Sequence, residues 1–128
     1  MRRILLFLIA VGLVACSGKQ SPEEAAMKAA EEYYSSLKDG DFGAFLAGRA
    51  DMEDVPSSFS EQLLVAYKQF VRQQEESHGG INSFVASRAQ MDSTLQLMQV
   101  FLMVNYVDST QEEIVVPMVE RQGEWKMK

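Results

Sequence analysis

The stretch "HGGINSFVASRAQMDSTLQLMQVFLMVNYV", residues 78–107, is where the chain changes its hydrophobic period. Before it, apolar residues recur every three or four positions; after Gly79-Gly80 they alternate in twos and are often β-branched or aromatic. A period of two assigns every residue to one face of a sheet. Met98, Val100, Leu102, Val104 and Tyr106 form a wholly apolar phase, whereas Leu97, Gln99, Phe101, Met103 and Asn105 form a mixed one. The first phase is expected to face a core. Strands are expected at residues 81–91, 95–107, 112–121 and 124–127, with turns at Asp92-Ser93-Thr94, Asp108-Ser109-Thr110 and Gln122-Gly123. Val116, Met118, Trp125 and Met127 continue the inward phase. Pro117 lacks a ladder donor, which predicts an edge or bulged position for its strand.

Upstream, Ser21-Pro22-Glu23-Glu24 reads as a helix start: Ser21 as N-cap, Pro22 in the first helical position, Glu24 completing a capping box. Ala26, Met27, Ala30, Tyr33, Tyr34 and Leu37 follow at helical spacing, and Lys38-Asp39-Gly40 ends the run with glycine as a left-handed cap. Asp41 caps a short helix with Phe42, Phe45 and Leu46 on one side. Ser58-Phe59-Ser60-Glu61 reads as a second capping box. It opens a longer helix striped by Leu63, Leu64, Tyr67, Phe70 and Val71 and closed by His78-Gly79-Gly80. Three helices followed by four strands predict an α+β fold, helices packed on one side of a curved four-stranded antiparallel meander.

Three features together carry a resemblance: "YYSSLKDGDFGAFL" at residues 33–46, the long third helix ending in Gly-Gly, and a meander closing in "RQGEWKMK" at 121–128. Over residues 21–128 the chain resembles the nuclear transport factor 2-like cone, and within that group it is similar to small bacterial lipoproteins. The resemblance implies a hydrophobic cavity between the long helix and the sheet. It also implies frequent dimerisation through the sheet's outer face, with uses ranging from ligand binding to catalysis.

The N-terminal residues point to export. Met1-Arg2-Arg3 is positive, and the apolar run at 4–14 suits a signal-peptide core, being shorter than the about 20 residues a bilayer requires. Leu13-Val14-Ala15-Cys16 resembles the lipobox of bacterial lipoproteins. That likeness implies removal of residues 1–15, acyl chains such as palmitate on Cys16, a tether over 16–20 and one domain over 21–128. Ser17 after the cysteine implies an outer-membrane lipoprotein facing the periplasm, with the cell surface as the alternative. The formal charge is −6, and losing Arg2 and Arg3 makes the remainder more acidic. An acidic domain is a poor partner for nucleic-acid phosphates and for anionic lipid. Membrane contact is therefore expected through lipid. A single cysteine excludes a disulfide framework.

The chemistry-bearing residues are sparse. His78, the only histidine, is expected to interact with the carbonyls and dipole at its helix end, and a zinc site would need several such ligands. No metal or cofactor is expected. Asp39, Asp41, Asp51, Glu53, Asp54, Asp92 and Asp108 fall at caps, loops and turns, and no carboxylate enters the apolar phase of the second strand. No catalytic residue is identified. Tyr34, Phe45, Tyr67, Phe84, Met98 and Tyr106 are candidates to line a pocket, or else they fill the core. Leu97, Phe101 and Met103 are the candidate homodimer face. The sequence reads as a lipid-anchored, non-catalytic envelope domain that binds a small apolar ligand or another envelope protein. The alternatives are an isomerase- or dehydratase-like enzyme of the same fold and a purely structural subunit.

Overall fold

The structure, a computed structural model, describes residues 20–128. The expected signal peptide, Cys16 and most of the tether lie outside these residues. Helix α1 (Pro22–Lys38) starts as its sequence dictates: the Ser21 hydroxyl accepts from Glu24 N–H, and the Glu24 carboxylate accepts from Ser21 N–H. It ends on Gly40 at φ 85°, with Gly40 N–H donating to Leu37 O and Asp41 N–H to Ser36 O. Asp41 then caps α2 (Phe42–Ala47) through Ala44 N–H. Helix α3 (Ser57–His78) departs from expectation at its start. Pro56 is the N-cap and no side chain caps the helix, so the Ser58–Glu61 box is not formed. Ser58 already lies inside the first turn, where its hydroxyl is misplaced for capping.

Strands β1 (Ile81–Asp92), β2 (Leu97–Tyr106), β3 (Gln111–Arg121) and β4 (Glu124–Met127) form one antiparallel sheet in sequence order. Strand β2 begins two residues later than expected because Gln96 sits at φ 55° and breaks the extended run. Strand β3 is interior, and its register against β2 is continuous through Pro117, so neither an edge nor a bulge is needed. The Pro117 carbonyl accepts from Lys128 N–H beyond the last β4 partner pair, Met118 with Met127. The missing donor therefore faces the side where the β3–β4 ladder has run out. The irregularities lie in β1, one between Ile81 and Ser83 and a second between Ala86 and Arg88. At the second, Ala86 N–H donates to the Glu31 carboxylate of α1 at 2.6 Å.

The apolar phase of β2 is buried as predicted, with Met98, Val100, Leu102 and Met118 of β3 the largest fully enclosed side chains. Fully burying each such side chain contributes about 1.5–3 kcal/mol. Ala26 and Ala30 of α1 are completely buried and let that helix lie close on the sheet. Helix α3 behaves differently. It has no buried residue, and Phe59, Val65 and Phe70 are 44%, 56% and 38% exposed.

Candidate functional site

Because α1 sits tightly on the sheet and α3 does not, an open groove runs between α3 and the inner sheet face. It encloses about 490 Å³. Tyr34 and Leu37 of α1, Phe45 of α2, and Tyr67, Phe70 and Gln74 of α3 form its helical walls. The sheet supplies Phe84, Val104, Tyr106, Glu112 and Ile114. The aromatic rings form a chain: Phe45 meets Tyr34 edge-on at 5.0 Å and Tyr67 edge-on at 4.8 Å, while Phe84 lies 5.1 Å from Tyr34.

Five of the six expected pocket residues thus converge on one groove. Met98 does not: it is 0% exposed inside the core, paired with Met91 and Met118 at the sheet end where the strands turn. Strand phase alone put it with Tyr106; distance along the strand separates them.

Two polar groups stand out. The Tyr67 hydroxyl is buried and has no hydrogen-bond partner. The neighbouring Tyr34 phenol is pushed up first by burial and then by Tyr67, with an opposing pull from Arg49. At the open end, the Tyr106 hydroxyl donates to Glu112 Oε1 at 2.6 Å. Burial, that hydrogen bond, and the charges of Glu112 and Asp108 push Tyr106 up to about 12, so this phenol stays protonated. Glu112 is not among the acids that caps, loops, turns and the apolar phase of the second strand bring forward in the sequence. The available signal was its phase: Glu112, Ile114, Val116 and Met118 alternate on one face of β3, and Glu112 pairs with Val104.

His78 also differs from expectation. Its ring stacks on Tyr106 at 4.0 Å and 17°, and Nδ1 lies 2.9 Å from Asp108 Oδ2. Thr110 Oγ1 is 3.3 Å from the same nitrogen. The ring therefore pins the end of α3 to the β2–β3 turn, and the helix carbonyls are satisfied by Gly79 and Gly80 N–H instead. Asp108 is brought down to about 2, chiefly by Thr110 hydroxyl and backbone donors and then by His78. Among the described residues, no cluster of three His, Cys, Asp or Glu could hold a metal ion.

On the outer sheet face, Phe101 and Met103 are half-buried beside Val85 and Val115, which are 47% and 49% exposed. The Arg88 guanidinium lies 3.5 Å over the Phe101 ring. Leu97, expected on this face, is buried; the register that pairs Met98 with Met118 brings it beside Val119, also buried. It is not available to a partner.

Three helices on one side of an open, curved antiparallel sheet, with a groove under the long helix, define the nuclear transport factor 2-like α+β fold. The chain is similar in structure to a Campylobacter jejuni protein described provisionally as an NTF2-like transpeptidase. The TM-score is 0.62 at 10% identity, over 77% of this chain and 92% of that one. At that identity the likeness concerns the fold alone. No protein-family model matches the chain, and no curated protein does.

Proposed function

We propose that this chain is a lipid-anchored envelope domain whose groove holds a small, largely apolar ligand. The groove carries the reading: about 490 Å³ lies within the range typical of ligand sites, and the lining is mostly aromatic and aliphatic. The anchor is supported by the resemblance of Leu13–Cys16 to a lipobox, and a periplasm-facing position on the outer membrane by Ser17 after the cysteine. The reading is non-catalytic. A transpeptidase of the kind named for the C. jejuni protein needs an activated nucleophile, and no Ser, Thr, Cys or Lys lines the groove. An isomerase or dehydratase needs a desolvated acid or base, and the one carboxylate there, Glu112, is solvent-exposed.

Native mass spectrometry of the protein purified from its own envelope tests both parts. The expected spectrum shows a chain starting at Cys16 with acyl mass attached, plus a non-covalent small molecule lost on collisional activation. A chain without acyl mass removes the anchor. Failure to retain or take up any small molecule removes the groove's role.

A further inference from the structure

The groove's walls are aromatic, and its one charged residue is an acid. Resting on the ligand-site reading above, we propose that the groove selects an organic cation, an ammonium group carried on an apolar body, with its charge against Glu112. Glu112 is positioned for this. It stands on the inward phase of β3 next to Ile114, and one oxygen is fixed by the Tyr106 hydroxyl. Its other oxygen has no protein partner among the described residues. The Tyr106 ring that holds it is itself clamped by stacking on His78, so the carboxylate is presented by a rigid group.

The walls favour the same charge. Aromatic rings carry negative potential on their faces and attract cations within about 6 Å, by about 0.5–1 kcal/mol when exposed and about 2 when desolvated. Tyr67, Phe70 and Tyr106 line the same groove as Glu112, and Tyr106 touches its carboxylate directly. No lysine or arginine lines the groove. Arg49, whose charge reaches Tyr34, lines the cleft between α2 and β4 instead. An anionic ligand would meet Glu112 and the ring faces without a counter-charge in the lining.

Three water-soluble probes of equal length separate charge from apolar fit: 3-phenylpropylammonium, 3-phenylpropanol and 3-phenylpropionate. Their binding to the full chain in detergent is measured by ligand-observed NMR against protein-free micelles. The ammonium is expected to bind about tenfold more tightly than the alcohol. Glu112→Gln is expected to abolish that preference, so that ammonium and alcohol bind the variant equally. Alcohol or propionate binding as tightly as the ammonium to wild type would overturn the cation assignment while leaving the groove a ligand site. A preference that survives Glu112→Gln would overturn the role of Glu112. If no probe binds above the micelle blank, the ligand-site reading fails and the inference falls with it.

Discussion

Gly43, within α2, and Gly48, its C-cap, sit five positions apart yet answer opposite physical demands. A Cβ on Gly48 would lie 2.6–2.8 Å from three ring atoms of Tyr33. That ring cannot retreat, because its hydroxyl donates to Trp125 O at 2.7 Å, and Gly48 O accepts from Met127 N–H. Gly43 has nothing closer than 4.0 Å to the same imaginary atom and lies within α2. Gly48→Ala is therefore expected to destabilise by about 1–3 kcal/mol through overpacking. Gly43→Ala is expected to stabilise by about 0.5 kcal/mol, because the alanine loses less backbone entropy on folding. Urea unfolding of the two variants checks the opposite signs; equal effects would show that the Tyr33 contact is not tight. Sequence could not separate these glycines, since neither needs a positive φ and only the tertiary approach of Tyr33 distinguishes them.

Among the elements, the link between the α3 C-terminus and the β2–β3 turn has a pH signature. Asp108 accepts from Thr110 and faces His78, and its folded pKa of about 2 lies below the usual about 3.9 of an unfolded aspartate. A carboxyl depressed in this way contributes stability that is fully present above about pH 4 and is lost as pH falls towards about 2. Asp108→Asn is thus expected to be less stable than wild type at neutral pH, with the difference shrinking between about pH 4 and 2. Comparing urea midpoints of the two proteins at pH 7, 4 and 2 cancels other carboxylates, including Asp51, which Arg121 also holds low. A difference that stays constant across this range would exclude the aspartate as its source. Local signals made most elements legible: capping residues set the start of α1, Gly40 and Gly79 its end and that of α3, and period-two alternation the strands. The depth at which α3 docks was not legible. Its stripe of Leu63, Leu64, Tyr67, Phe70 and Val71 predicts a buried face, but every one of these residues keeps partial or full exposure. Periodicity reports direction, whereas the groove arises from distance.

For the whole molecule, the two faces of the sheet divide the work. The inner face is closed by α1 at one end and left open under α3 at the other. The outer face carries Val85, Phe101, Met103 and Val115 in adjacent register, with no helix of the described residues packed over it. Exposed apolar groups contiguous across three strands suit a self-complementary pairing, since a two-fold axis through the patch sets the same residues on both sides. Arg88, stacked on Phe101, would either cap the ring in a monomer or remain as a cation–π contact at the edge of the pair. We propose that the chain forms a homodimer through this face, and that a charge at its centre dissolves it. An unpaired buried carboxylate costs roughly 3 kcal/mol, about a hundredfold in Kd. Phe101→Glu should therefore sediment as a monomer at concentrations where the wild type sediments as a dimer. The groove probes serve as the control: their binding should be unchanged in this variant, because Phe101 points away from the groove-lining phase of β2. A wild-type monomer at high micromolar concentration would refute the dimer. It would leave the groove reading untouched.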